Sequence, residues 1–226
     1  MIRIGHKGAA ALAPENTLRS IERALEVGVD MVELDVVRLA DGMLVLAHDP
    51  PGDPGNLPTL DEALAFVADR SVEVMLDVKG PGYERALVEA VRRAGLVERT
   101  LVSSCYPETV RLLGRLEPGL RRGLTYPFDR LGISSRRFLR PAVRAALGTL
   151  RATLPLRIGR LLARADASVA TLNYTVISAA VVRSCHARGA QVLAWTVDDR
   201  SLAARLAVLG VDGIVSDDPR IVPGTF

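Results

Sequence analysis

Two carboxylates interrupt the apolar segment Met31–Val37, where a buried strand would be free of charge. Glu33 and Asp35 are two positions apart, so in a strand both side chains point to the same side. Adjacent buried carboxylates repel each other and are costly to bury without partners. A divalent cation that prefers oxygen ligands, Mg²⁺ or Ca²⁺, would offset both costs. The alternative is a strand end at which both acids reach water or a nearby arginine.

Two of the three histidines, His6 and His48, follow predicted strands. Because imidazole titrates near neutral pH, two histidines that face each other across a metal form an acid/base pair. Either histidine could instead be a metal ligand, although the carboxylates suit a hard cation better.

A second pair of charged residues follows the same two-residue spacing, Asp77 and Lys79. Asp77 is a candidate third metal ligand, and Lys79 is a candidate cation for an anionic substrate group. The alternative is an ion pair between these two residues. With Lys7 beside His6, the set of charges favours phosphoryl chemistry, in which charge stabilisation dominates.

The elements that must position these residues alternate between strand and helix along the whole chain. The predicted strands are Ile2–Gly5, Met31–Val37, Val72–Val78, Thr100–Ser104, Leu120–Thr125, Ser168–Leu172, Gln191–Thr196 and Gly213–Ser216. The predicted helices are Glu15–Val27, Thr59–Ala68, Glu84–Ala94, Pro107–Leu116, Arg136–Arg164, Val176–Ala187 and Ser201–Leu209. A short extra strand is predicted at Met43–Ala47. Eight such units predict an α/β fold, a TIM (β/α)8 barrel that forms a single domain over residues 1–226, with an open doubly wound sheet as the alternative.

The polar residues fall near the carboxyl ends of the predicted strands or just beyond them. In a barrel these ends converge on one face, where active sites lie. We therefore expect one pocket to contain the following residues: His6, Glu33, Asp35, His48, Asp77, Lys79, Trp195 and Asp217.

The composition is typical of a globular protein with a full core. The chain has 226 residues, of which 49% are hydrophobic. No segment reaches the roughly 20 apolar residues that a membrane span needs. No signal peptide is visible either, so a cytoplasmic location is predicted. Cys105 and Cys185 lack the spacing of a metal site and are interpreted as reduced cysteines.

Positive charge is concentrated in one segment although the net charge is only +3. Residues 130–164 contain nine arginines and no Lys, Asp or Glu. Pro141 could begin a helix that ends near Pro155 and that lies on an anionic membrane through residues 136–164. The alternative is an outer barrel helix with solvated arginines. Nucleic-acid binding is not favoured, because the segment lacks interleaved aromatic residues.

The motifs together resemble the glycerophosphodiester phosphodiesterase family. The chain contains GHKG at residues 5–8, PENT at 14–17, ELD at 33–35, DG at 41–42 and HD at 48–49, then AWTVDD and GVDGIVSDDP near the end. Their order and spacing are similar to the family pattern. The resemblance spans almost the whole chain and is weakest over residues 105–165.

The resemblance implies a TIM barrel that hydrolyses a glycerol-based phosphodiester to an alcohol and glycerol 3-phosphate. It implies that His6 and His48 are the acid/base pair and that Glu33 and Asp35, with Asp77, hold one Ca²⁺ or Mg²⁺. Lys7, Lys79 and Trp195 are the predicted substrate-binding residues. The segment Pro14–Thr17 is interpreted as a helix start rather than as chemistry, although Glu15 could touch the site.

Three departures from the family pattern affect the expected substrate. Lys7 replaces an arginine, and a point charge replaces a bidentate clamp on phosphate. Asp77 replaces a glutamate and is one methylene shorter. The cap insertion that often follows the HD motif is nearly absent, which predicts an open pocket. The alternatives are therefore a lysophospholipase D-like activity on membrane lysolipids, or a catalytically weak barrel that binds an anionic lipid or a sugar phosphate.

Overall fold

A computed structural model describes residues 1–49, 55–128 and 140–222, apart from the side chains of residues 140–145. The strands are β1 (Ile2–Gly5), β2 (Met31–Arg38), β3 (Leu44–Leu46), β4 (Glu73–Val78), β5 (Thr100–Ser104), β6 (Arg121–Tyr126), β7 (Val169–Asn173), β8 (Gln191–Trp195) and β9 (Gly213–Ser216). The sheet runs in the order β1-β9-β8-β7-β6-β5-β4-β2-β3, and β1 also pairs with β2. Eight parallel strands therefore close into a barrel, and β3 pairs antiparallel with the outer end of β2. The predicted TIM barrel is confirmed.

Seven helices surround the barrel in the described part of the chain. They are α1 (Leu18–Val27), α2 (Leu60–Ala68), α3 (Glu84–Arg93), α4 (Pro107–Leu116), α5 (Arg140–Ala165), α6 (Ala179–His186) and α7 (Arg200–Val208). Polar caps fix several of their starts. The hydroxyl of Thr17 accepts a hydrogen bond from the Ser20 N–H, so α1 begins three residues later than predicted. Ser178 caps α6 in the same way.

The predicted helix end near Pro155 is wrong, because α5 continues through this proline to Ala165. A proline inside a helix costs about 3 kcal/mol. Leu154, Ile158 and Leu162 are all buried against the barrel on the same face of the helix. Each buried side chain contributes roughly 1.5–3 kcal/mol, so packing outweighs the cost of the proline. None of the helices in the described residues is long and apolar enough to cross a bilayer.

The barrel interior changes from apolar to polar along the strands. Its lower part is a cluster of side chains contributed by most of the strands: Ile4, Met31, Met75, Leu101, Val169, Leu193 and Val215. Further along the same strands the side chains are polar: Glu33, Asp77, Ser103, Thr125 and Thr171. The apolar cluster thus fills the barrel interior beneath the polar groups at the carboxyl ends of the strands.

Candidate active site

A cavity of about 690 Å³ opens at the carboxyl ends of the barrel strands. Most of the predicted site residues line it: His6, Lys7, Glu33, His48, Asp77, Lys79 and Trp195. Asp35 is fully buried beside them. Asp217 follows β9 and contacts His6. The convergence that barrel topology predicted is therefore present.

Three carboxylates form a compact cluster in this cavity. Glu33, Asp35 and Asp77 each place a carboxylate oxygen within 4.8 Å of the other two. Asp35 and Asp77 are register partners on β2 and β4. Glu33 and Asp35 are 3% and 0% exposed, so the alternative in which both acids reach water is wrong.

Lys79 partly neutralises the cluster. Its ammonium lies 2.6 Å from Asp35 Oδ1 and 2.6 Å from Asp77 Oδ2. The hydroxyl of Ser103 donates a hydrogen bond to Asp77 Oδ1 at 2.7 Å. The ion pair between Asp77 and Lys79, which was the alternative to a metal ligand and a substrate-binding cation, is thus formed, and it also includes Asp35.

The protonation states in the cluster follow from burial and charge. Burial and the neighbouring charge of Asp35 raise the pKa of Glu33 to about 8. Burial also opposes ionisation of Asp35, but Lys79 and the amide of Asn16 outweigh it and lower the pKa of Asp35. Burial likewise acts to lower the pKa of Lys79, but Asp77 and Asp35 raise it well above its usual range.

The donor atoms of this cluster fit a hard divalent cation. Asp35 Oδ1 is buried, and its close contact is with the Lys79 ammonium at 2.6 Å, which also contacts Asp77. Buried carboxylates are costly unless cations offset their charge, and the single ammonium of Lys79 cannot offset three of them. Three carboxylates at this spacing are ligands of the type that Ca²⁺ and Mg²⁺ prefer.

His6 is held by Asp217 on one side and faces the carboxylates on the other. Its Nδ1 lies 2.5 Å from Asp217 Oδ1, and its Nε2 lies 3.9 Å from Glu33 Oε2. The hydrogen bond from His6 lowers the pKa of Asp217, so this carboxylate is ionised and can only accept. Nδ1 therefore carries the proton, and Nε2 is the atom turned towards Glu33. Burial acts to lower the pKa of His6, but Glu33 and Asp217 raise it overall.

His48 and Lys7 occupy the rim of the cavity. The His48 side chain is 52% exposed and forms a hydrogen bond with Asp49. Lys7 lies in the turn after β1, where its backbone N–H donates to Glu33 Oε2 at 2.8 Å. Its ammonium pairs with Glu15 at 2.9 Å, so Glu15 does touch the site. These rim groups are solvent-accessible to different degrees, with Lys7 the more enclosed.

Another part of the cavity lining is apolar or aromatic. It includes Tyr83, Pro127, Phe128 and Trp195. The Trp195 indole N–H donates to the backbone carbonyl of Thr171 at 3.0 Å, which fixes the ring against the wall. The cavity therefore offers charged groups to a phosphate and apolar groups to the rest of a substrate.

Sequence reasoning missed the part that two residues play in the site. Asp217 was placed at a strand end, but its contact with His6 joins opposite ends of the chain and has no local signal. Asn16 was interpreted as part of a helix start, yet its side chain forms two hydrogen bonds with Asp35. Its backbone is left-handed, with φ of 56°, a conformation that asparagine tolerates better than most residues. An asparagine immediately before a helix cap is the signal that was present.

Comparisons with known proteins identify a family for the chain. The model of the glycerophosphoryl diester phosphodiesterase family matches residues 6–63 and 50–221. A glycerophosphodiester phosphodiesterase of Caldanaerobacter subterraneus subsp. tengcongensis is 26% identical, with 96% of this chain and 93% of the relative covered.

Solved structures share the fold. A phosphodiesterase from Oleispira antarctica, solved in complex with the product sn-glycerol-3-phosphate, has a TM-score of 0.73 and 23% identity over 97% of this chain and 94% of its own. A glycerophosphodiester phosphodiesterase from Agrobacterium tumefaciens str. C58 has a TM-score of 0.73 and 22% identity over 98% of both chains.

Proposed function

Because this chain belongs to the glycerophosphoryl diester phosphodiesterase family, we propose that it hydrolyses a glycerol-based phosphodiester to an alcohol and glycerol 3-phosphate with the help of one divalent cation. The enzyme class is that of the phosphoric diester hydrolases. The observation that carries the proposal is the cluster of the buried Glu33 and Asp35 with the half-buried Asp77, beside a cavity that His6 and His48 also line.

The three carboxylates would hold the cation, Ca²⁺ or Mg²⁺. When bound, such a cation supplies charge stabilisation to phosphate oxygens. Lys79 and Lys7 add positive charge on the same side of the cavity, where they neutralise an incoming phosphate. Trp195 and the apolar lining residues would shield part of a bound substrate from water, which would strengthen these electrostatic interactions.

The two histidines would move the protons. Hydrolysis breaks one P–O bond and forms another: the attacking hydroxyl loses a proton to one histidine, and the leaving alkoxide takes a proton from the other. A positioned acid or base contributes roughly 10²–10⁴-fold to a rate. The same pair would serve water or a hydroxyl of the substrate as nucleophile, since each gives up one proton.

Histidine variants test these roles. His6→Ala and His48→Ala should each lower glycerol 3-phosphate release from glycerophosphocholine by roughly 10²-fold or more. His186→Ala is the matched control, because His186 pairs with Asp212 at the surface and does not line the cavity. Circular dichroism should show an unchanged fold in all three variants. Retention of more than a few per cent of activity in both site variants would overturn the assignment.

A second candidate substrate is a lysophospholipid at a membrane surface, and the shape of α5 favours it. This helix has 26 residues and is about 39 Å long, whereas α6 has 8 residues and spans about 12 Å. Its Leu147 and Leu150 pack against the core cluster that contains Val176, and the helix contacts the segment Tyr174–Val176 just beyond β7. Leu156 is 84% exposed on α5, beside the exposed Arg157. The alternative of an outer barrel helix has support too, because α5 packs on the barrel at Leu154. Arg130, Arg136 and Arg137 lie outside the described residues.

Vesicle binding separates the two substrates. If the basic helix binds anionic lipid, the protein should co-sediment with vesicles that contain phosphatidylglycerol but not with vesicles of pure phosphatidylcholine. Leu156→Glu should reduce the bound fraction severalfold, whereas Val208→Glu on α7, which is 88% exposed, is the matched control. Equal loss in both variants, or no binding by the unmodified chain, would contradict membrane contact and leave soluble diesters as the substrate class.

A further inference from the structure

Asn16 lies at the junction of three parts of the site. It is 3% exposed and adopts a left-handed backbone, with φ of 56°, immediately before the helix cap at Thr17. Its backbone N–H donates to the carbonyl oxygen of Lys7 at 3.0 Å. The turn that carries His6 and Lys7 and the start of α1 are thereby joined at this residue.

The side chain of Asn16 is wholly directed at Asp35. Its Nδ2 donates to Asp35 Oδ2 at 3.0 Å, and its Oδ1 accepts from the backbone N–H of Asp35 at 3.1 Å. Two hydrogen bonds to one residue fix both the position and the rotation of that carboxylate. Oδ2 is therefore occupied by Asn16, whereas Oδ1 contacts the Lys79 ammonium at 2.6 Å, which also contacts Asp77 in the carboxylate cluster.

The arrangement assigns different tasks to the two oxygens of one carboxylate. Most residues are unfavourable in a left-handed backbone conformation. The cap of α1 is formed by Thr17 and does not need a buried amide at the preceding position. Helix initiation therefore does not account for Asn16. Groups that hydrogen-bond a metal ligand orient it, and their loss typically weakens metal affinity 10–100-fold.

We propose that Asn16 is a positioning residue for the cation site, which engages Asp35 Oδ2 and thereby presents Asp35 Oδ1 to the divalent cation. The inference rests on the proposed function, since it takes the carboxylate cluster to be the cation site. It deepens that function by giving the PENT segment a part in metal binding as well as in starting α1.

Calorimetric titration of Ca²⁺ and Mg²⁺ into the metal-free chain tests the proposal without an activity assay. Asn16→Gly removes the amide but suits the left-handed backbone, since glycine adopts positive φ without strain. We expect its cation affinity to fall roughly 10–100-fold. Thr17→Ala is the matched control: it removes the adjacent cap hydrogen bond and should lower the melting temperature without changing the affinity.

Asn16→Asp separates geometry from charge. The carboxylate has nearly the same shape and still accepts from the Asp35 N–H, but it cannot donate to Asp35 Oδ2. If positioning governs binding, affinity falls despite the added negative charge; if charge alone governs binding, affinity rises and the proposal is overturned. Affinity within twofold of the unmodified chain in Asn16→Gly would overturn the inference alone. No cation binding by the unmodified chain would overturn the metal role in the proposed function together with it.

Discussion

Asp217 acts on the site through His6. It accepts the hydrogen bond from Nδ1, so the imidazole is held with Nε2 towards the carboxylates. The same contact is one of the interactions that raise the pKa of His6. A side chain that no local motif marks therefore sets the orientation and the proton affinity of a proposed catalytic group.

Replacement of Asp217 by asparagine tests this dependence. Asp217→Asn removes a negative charge that raises the pKa of His6, so this pKa should fall, and turnover should fall by at least roughly tenfold because the tautomer is no longer fixed. Nuclear magnetic resonance titration of the three histidines measures the shift, with His186 as the internal reference. An unchanged His6 titration together with unchanged turnover would contradict the role of Asp217.

Glu33 predicts a pH dependence of cation binding. Its pKa is raised to about 8 by burial and by Asp35, so at pH 7 it is mainly protonated in the metal-free chain. A cation binds the ionised form, and binding must displace the proton. Affinity should therefore rise with pH up to about 8, by as much as roughly tenfold per unit. Titrations in buffers of different ionisation enthalpy measure the released proton. Affinity that is constant between pH 6 and 8 would contradict this protonation state.

At the scale of elements, α5 is anchored by one face only. Leu154 is 1% exposed in the core that the helix shares with α6 and β7, whereas Leu156 is 84% exposed on the outer face. The proline between them does not end the helix, because the buried face continues on both sides of it.

Two leucine variants measure this asymmetry. Leu154→Ala should lower the free energy of unfolding by about 2–5 kcal/mol because it leaves a cavity. Leu156→Ala should change it by less than about 0.5 kcal/mol. Urea denaturation gives both values. Similar losses in the two variants would show that the outer face of α5 is covered in solution.

The sequence predicted elements well where local pattern determines them. The limits of β1, β5 and β9 match the apolar runs, and the residue after α1, Gly28, has the positive φ expected of a C-terminal glycine. Prediction was wrong at Pro155, where tertiary packing overrides a local preference. Asn16 was misinterpreted for a related reason, since its partner is nineteen positions away on β2.

At the scale of the whole molecule, the barrel brings the site together from both ends of the chain. His6 follows the first strand and Asp217 the last, and β1 pairs with β9. Closure of the barrel between β1 and β9 therefore also brings His6 and Asp217 together. The sequence could predict this contact only as a consequence of the fold.

Unfolding should therefore occur as one transition if residues 1–226 form a single domain. Trp195 is the sole tryptophan and lies in the cavity wall, so its fluorescence reports on the site, while circular dichroism reports on all helices. The two urea curves should coincide, as expected of two-state unfolding. Two separated midpoints would contradict a single cooperative unit.

The central claim is that the carboxylate cluster makes phosphodiester hydrolysis depend on a cation. The most direct measurement is glycerol 3-phosphate release from glycerophosphocholine and glycerophosphoethanolamine by the unmodified chain and by Asp35→Asn, each with Ca²⁺, with Mg²⁺ and with a chelator. We predict turnover that the chelator abolishes and one of the cations restores, and little turnover by Asp35→Asn under any condition. Equal turnover with and without the chelator, or full activity of Asp35→Asn, would contradict the account.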